Sequence, residues 1–326
     1  MPLISVIMPV YNRELLVADA IRSIQSQTLE DWELLVLDDA STDRTWNVCQ
    51  ELAEKDKRIR LFKSEKNRGA GPSRNELVRH TKGMYIAIQD SDDVSVPHRL
   101  QLEFDFLESH PDIGLVSGVG TWIDVENERV MLQYPPSLFN GEPYPQTKTE
   151  LIRLLYDRME LTFPACMFRH SFIEEISNPF GDYRYVDDWY FALELAHRTL
   201  FWGFFEVLVY MKRGKSHDHL WKDYLQGLHE AKKLKKDLYK RYKNDRDSPI
   251  NYALYRRGIA SLVTTRGRYL GGWKGYFTVL ESLFWDPFYS YGYQSLLELS
   301  GRAWKKAKRI LSGRISQNGI EIISTK

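Results

Sequence analysis

Three carboxylates fall within four residues in Gln89-Asp90-Ser91-Asp92-Asp93, directly after the apolar run Met84 to Ile88. Like charges packed that closely repel one another unless a cation or a set of donors neutralises them. A divalent ion, Mn2+ or Mg2+, takes carboxylate oxygens as ligands and shares its remaining positions with substrate phosphates, so the segment reads as a clamp for a diphosphate. It reads equally as an acidic turn capping the helix that starts near Pro97, because Asp is a common N-cap. A second group, Asn67-Arg68-Gly69-Ala70-Gly71-Pro72-Ser73-Arg74-Asn75, joins two arginines to glycines that let the backbone approach a ligand. The helix beginning near Pro72 adds free N–H groups suited to an anion. Arg74 is the better candidate for that contact, and Arg68 reads as readily as a surface cation.

These groups need a scaffold. Ile4 to Val10 is a short apolar run ended by Tyr11-Asn12, with Asn12 expected to cap the next helix. Val17, Ala20, Ile21 and Ile24 then recur at helical spacing, and Leu34 to Leu37 reads as a second buried strand. The pattern repeats through a helix carrying Trp46, Cys49 and Leu52, a strand at Ile59 to Phe62, a helix from Pro72, a strand at Met84 to Ile88 and a helix from Pro97. Such alternation predicts the α/β class, with a mostly parallel sheet and helices on both faces. Ligands of such sheets bind beyond the carboxyl ends of the strands, at Tyr11-Asn12, Asp38-Asp39 and the segment after Ile88. Shorter strands are expected at Ile113 to Val116, Thr121 to Asp124 and Arg129 to Leu132. Beyond about Arg213 the pattern is helical, which divides the chain into 1–212 and 213–326.

Four segments together resemble the family 2 glycosyltransferases, which have the GT-A fold. Ser5-Val6-Ile7-Met8-Pro9-Val10-Tyr11-Asn12 is similar to the family's opening strand and turn, and Asp38-Asp39-Ala40-Ser41-Thr42-Asp43 to its nucleotide-contacting acidic turn. Asn67 to Asn75 resembles its Gly-rich donor loop, and Asp90-Ser91-Asp92-Asp93 its metal-binding DxD element. Any one of these is weak alone; four in the right order are specific. The resemblance implies an inverting transfer of a sugar from a nucleotide-diphosphate donor to the hydroxyl of a glycan or lipid-linked acceptor. Pro9, Tyr11 and Asp39 would line the base and ribose pocket, with Asp39 accepting a hydrogen bond from a uracil ring nitrogen. Asn12, Asp38, Asn67, Gly69, Arg74, Asp90 and Ser91 complete the implied donor contacts. Asp92 would hold the metal and Asp90 the ribose or the metal. Asp39 and Asp43 also suit helix caps.

A transfer to a hydroxyl needs a base, and a partly buried carboxylate of raised pKa can serve. Asp187-Asp188 opens the helical run Trp189 to Ala196; the family pattern, usually Glu-Asp, makes Asp188 the base, and Asp187 departs from it. The two also suit a helix N-terminus, where the dipole favours acids. His217, after Arg213-Gly214-Lys215-Ser216, stands where some relatives carry a third metal ligand, with His219 as its competitor. Pro135, Pro136, Gly141, Pro143 and Pro145 mark a long loop, mobile or acceptor-facing. The Gln-x-x-Arg-Trp element of processive relatives is not visible.

Residues 1–211 hold 21 Lys/Arg against 34 Asp/Glu, and 212–326 hold 24 against 10, so −13 is followed by +14. The basic part carries Trp273, Tyr276, Phe277, Leu280 and Phe284 at helical spacing and then Arg302, Lys305, Lys306, Lys308 and Arg309. That combination suits an anionic membrane surface, or a helical bundle packed on the catalytic part. No nucleic-acid-binding module is recognisable. Cys49 and Cys166 read as buried thiols. The start of the chain lacks the zones of a signal peptide, and no run is long enough to span a bilayer, so a cytoplasmic or inner-face location is expected. Two rival readings are a sugar-nucleotide nucleotidyltransferase, whose Gly-rich loop after the first strand is missing, and a binding module without turnover.

Overall fold

A computed structural model of the chain describes residues 1–124, 126, 129–213, 224–270, 272–286, 292, 295, 298 and 299. His217 and His219 lie outside these residues, as do Lys215 and the cluster from Arg302 to Arg309. The chain divides into two compact units, Met1–Glu230 with Asp245–Pro249, and Ala231–Asn244 with the residues from Ile250 onward.

The first unit begins with β1 (Ile4–Val10), α1 (Val17–Gln25), β2 (Trp32–Asp38), α2 (Thr45–Ala53), β3 (Ile59–Lys63), α3 (Ala70–Val78) and β4 (Tyr85–Ile88). It continues with β5 (Asp93–Ser95), α4 (Arg99–Ser109), β6 (Ile113–Asp124), β7 (Arg129–Tyr134), α5 (Pro136–Phe139), α6 (Lys148–Asp157), β8 (Met167–Arg169), α7 (Asp187–Ala196) and β9 (Leu200–Arg213). The strand order is β3-β2-β1-β4-β8-β6-β9-β5, with β7 added to β6. β3, β2, β1 and β4 run parallel, as do β6 and β9, while β8, β7 and β5 join antiparallel.

Strand alternation places Ile4, Val6, Met8 and Val10 on one face, where they pack with Val17, Ala20, Ile21 and Ile24 of α1, Cys49 of α2 and Leu100 and Leu107 of α4. α3 lies against β1 and β2. Side chains of β1 therefore meet helices at 3.6-residue spacing, and its carboxyl end leads into the Tyr11-Asn12 turn.

Three local expectations change. Asn12 does not cap α1, which starts five residues later after Leu16 with no side-chain cap. Residues 113–124 form one strand, not two, and the glycines between the two expected segments are places of close packing. A Cβ at Gly118 would lie 2.5 Å from Leu208 Cδ1, and one at Gly120 would lie 2.6 Å from Met211 Cε. The proline-rich segment contains α5 and is anchored by Leu138 and Tyr144, both buried. Leu138 fills the space left by Gly203, where a Cβ would meet its Cδ2 at 2.2 Å.

Among its described residues the second unit contains the end of α8 (Tyr224–Tyr242), α9 (Tyr252–Leu270) and α10 (Gly272–Trp285). α9 and α10 pack together, burying Ile259, Ala260, Val263 and Val279. Among the described residues no helix is long and apolar enough to cross a membrane.

Candidate active site

The carboxyl ends of β1 and β2 are tied into one surface. Asn12 and Ala40 adopt positive φ, 50° and 63°, which turns both chains sharply after their strands. The Asn12 N–H donates to Ser41 Oγ at 3.0 Å, and its side-chain oxygen accepts from the Thr42 N–H at 2.9 Å. Asp38 Oδ1 accepts from the Ser41 N–H at 2.8 Å. Asn12 thus braces the turn at Asp38 to Asp43, a role that its position after a strand does not reveal.

Asp39 is buried and accepts from the backbone N–H groups of Arg68, at 3.0 and 2.9 Å, and Gly69, at 2.8 Å. It therefore holds the Gly-rich loop; a carboxylate has about four acceptor positions, so capacity for another donor remains. Gly69, at φ 94°, opens α3 where a Cβ would stand 3.1 Å from Arg184 Cγ. Beside this turn an open cleft of about 500 Å³ is lined by Ala40, Ser41, Lys63, Ser64 and Glu65. Pro9 and Tyr11 sit at the end of β1, Tyr11 being 40 % exposed and presenting a ring to solvent.

The acidic turn follows β4. The Asp93 N–H donates to the Asp90 carbonyl at 3.3 Å, closing the turn, and Asp93 itself starts β5. Asp90 accepts from Arg74 Nη2 at 2.6 Å, and Asp92 accepts from Arg13 Nε at 3.3 Å. Ser91 is buried. The reading of this segment as a helix cap fails, since His98 precedes α4 and no side chain caps it. Arg13 escaped the sequence reading; its signal is a cation directly after Tyr11-Asn12, but its partner lies 79 positions on.

Two carboxylates on one turn suit a hard cation that completes its shell with phosphate oxygens and water. Among the described residues no group of three or more His, Cys, Asp or Glu side chains comes together to cage a metal. The donor set fits a cation shared with a substrate, not an all-protein site.

Arg74 joins the acidic turn to α7. It is buried, donates through Nη1 to Asp187 and through Nη2 to Asp90, and lies over the Phe163 ring with Cζ 4.8 Å from the centroid. Burial opposes its charge, but Asp187, Asp90 and Asp188 together raise its pKa. Asn75 fixes the approach to α7, donating to the Gly181 carbonyl at 2.8 Å and accepting from the Phe180 N–H at 2.9 Å. Gly71 allows the contact, because a Cβ there would lie 2.6 Å from the Tyr183 carbonyl and 2.9 Å from Asp187 Cβ.

Burial raises the pKa of Asp187 even beside Arg74. Asp188, next along the helix, is pushed up to about 7 by burial and then by the Asp187 charge. One of its oxygens accepts from the Trp189 N–H at 2.7 Å, and Trp189 Nε1 donates to the Leu155 carbonyl at 2.5 Å. The two neighbouring acids differ in their partners: Asp187 pairs with a guanidinium, whereas Asp188 accepts from a backbone N–H, and burial raises both.

A sequence model described as Glycosyl transferase family 2 matches residues 5–177. An uncharacterized glycosyltransferase of Methanocaldococcus jannaschii is 38% identical over 140 residues, 42% of this chain and 48% of that protein. The UDP-Glc:alpha-D-GlcNAc-diphosphoundecaprenol beta-1,3-glucosyltransferase WfgD of Escherichia coli is 38% identical over 105 residues, 32% of this chain and 41% of that protein. The chain thus spans about half the length, or less, of the curated relatives it matches. Among solved structures, S. aureus TarS 1-349 in complex with UDP-GlcNAc superposes with a TM-score of 0.62 at 18% identity, covering 94% of this chain and 91% of that one. The mannosyltransferase PcManGT of Pyrobaculum calidifontis, in complex with GDP-Man and Mn2+, gives 0.52 at 16% identity, covering 93% and 87%. At such identities the likeness establishes the GT-A fold, and the match across residues 5–177 carries the rest: the chain belongs to glycosyl transferase family 2.

Proposed function

We propose that this chain is an inverting, non-processive glycosyltransferase that moves a sugar from a nucleotide diphosphate, UDP by preference, to a hydroxyl of a glycan or lipid-linked acceptor in cell-surface polysaccharide synthesis. In this reading the catalytic part is 1–212 and the basic part is 213–326. The observation that carries the reading is that Arg74 pairs with Asp187 and Asp90, while the neighbouring Asp188 accepts from the Trp189 N–H and is raised by burial to about 7. The donor choice is supported by the names of two relatives, one using UDP-Glc and one solved with UDP-GlcNAc.

In this reading the cleft beside Asp39 receives the base, and Tyr11 stacks on it. Asp39 accepts from the ring nitrogen while it holds the Gly-rich loop. A buried acceptor left unpaired by the wrong base gives selectivity. Asp92 and Asp90 would hold Mn2+ or Mg2+, which when bound neutralises the diphosphate as it leaves. Arg13 and Arg74 keep the same two carboxylates oriented. Asp188 takes the proton of the acceptor hydroxyl, which attacks opposite the leaving diphosphate, so the anomeric configuration inverts.

Calorimetric titration of the purified chain with UDP, GDP and dTDP, with and without MnCl2, tests the donor site. UDP is expected to bind, and to bind tighter with the metal; no uptake of any of the three under either condition would sink the proposal. The charge of 212–326, 24 Lys/Arg against 10 Asp/Glu, supports a further proposal that this part contacts an anionic membrane surface. The full chain is then expected to float with phosphatidylglycerol liposomes at low salt, and a chain left at the bottom of the gradient rejects it.

A further inference from the structure

Beneath the acidic turn lies a polar network that the donor reading leaves unused. Arg99, the first residue of α4, and Glu103, one helical turn on, are both fully buried. Arg99 Nε donates to the two Glu103 oxygens at 3.1 and 3.2 Å. Its Nη1 donates to Ser95 Oγ at 2.9 Å and Gln89 Oε1 at 3.3 Å, and its Nη2 to the carbonyls of Ile88 at 2.8 Å and Cys166 at 3.1 Å. Every guanidinium hydrogen is used. A buried ion pair adds little over an apolar pair of the same volume, so stability alone does not account for this one.

Gln89 connects the pair to the turn. It is fully buried; its Nε2 donates to the Asp90 carbonyl at 3.0 Å and the Asp93 carbonyl at 2.9 Å, and its Oε1 accepts from Ser95 Oγ at 2.6 Å and from Arg99. The orientation of the amide is dictated by chemistry, since carbonyls only accept and a guanidinium only donates. One side chain thus grips both ends of the 90–93 turn and is itself gripped from below.

We propose that Gln89 is a positioning residue for the donor: held by Arg99 and Ser95, it fixes the backbone of the acidic turn so that Asp90 and Asp92 meet a metal–diphosphate in one geometry. The inference rests on the donor reading above. Gln89→Glu keeps an acceptor toward Arg99 and Ser95 but loses both amide donors, and Gln89→Met loses all four bonds at similar volume. Tyr85→Phe, at the far end of β4, removes a hydroxyl that accepts from Arg169 at 2.8 Å and donates to Glu108, and serves as a control for general destabilisation.

UDP is titrated calorimetrically into each protein with and without MnCl2, at a temperature where circular dichroism shows all of them folded. The metal-dependent gain in UDP affinity is expected to fall by about 10- to 100-fold in both Gln89 variants, as for other supports behind metal ligands. UDP affinity without metal, and both values for Tyr85→Phe, are expected to be unchanged. An unchanged gain in the Gln89 variants overturns the proposal, and so does failure of both to fold, which would make the network a stability element. No metal-dependent UDP binding by the unsubstituted chain would overturn the donor reading and this proposal with it.

Discussion

Asp188→Asn is expected to lower transfer by about 10²- to 10⁴-fold, the range that a general base contributes, while UDP affinity stays where it was. The asymmetry follows from the site. Asp188 holds only the Trp189 N–H among the hydrogen bonds described above, whereas Asp187 and Asp90 are bound into the Arg74 bridge. Removing the Asp188 charge therefore leaves the donor scaffold standing. UDP release from a UDP-sugar, followed beside a calorimetric UDP titration, separates the two effects. Transfer that persists in Asp188→Asn would place the base elsewhere.

The same group sets a pH dependence. A base works ionised, and Asp188 sits at about 7, so transfer should fall about tenfold per pH unit well below 7 and level off above about 8. Stability should run the other way. A carboxylate whose folded pKa exceeds its unfolded value, near 3.9, contributes stability that is fully present below the unfolded value and is lost as pH rises through the folded one. Asp188→Asn should therefore unfold at a higher temperature than the parent at pH 8, with the difference shrinking toward pH 4. Burial, which makes the base useful, is what makes it costly.

Much of the scaffold was legible because helices and strands are periodic. Val17, Ala20, Ile21 and Ile24 announce the buried face of α1, and all four are fully buried. The acidic segment was expected at a strand end and stands at the end of β4. What could not be read is pairing across distance. Arg74 and Asp187 are 113 positions apart, and nothing in either neighbourhood says that one neutralises the other. The single strand over 113–124 was hidden for a related reason: Leu208 and Met211 occupy the space that a Cβ on Gly118 or Gly120 would need. Asn12 misled because capping and left-handed turns favour the same residue type.

Arg74→Met is expected to be the most damaging single change to the folded unit. It leaves Asp187 buried without its counter-ion, and breaking a buried pair from one side costs about 3–5 kcal/mol. Asp90, at 30 % side-chain exposure, can recover water; Asp187, at 6 %, cannot. The cost should therefore concentrate on Asp187, and that is separable by a double-mutant cycle. Asp187→Asn in the Arg74→Met background removes the stranded charge and should recover much of the lost stability, with a coupling of about 1–3 kcal/mol between the two positions. Transfer should not recover, because nothing then ties α7 to the acidic turn. Chemical denaturation of the parent, the two single variants and the double variant reads the first effect, and UDP release reads the second. Additive losses would mean that the guanidinium does not neutralise Asp187, and with that the argument for Asp188 as the sole proton acceptor would fail.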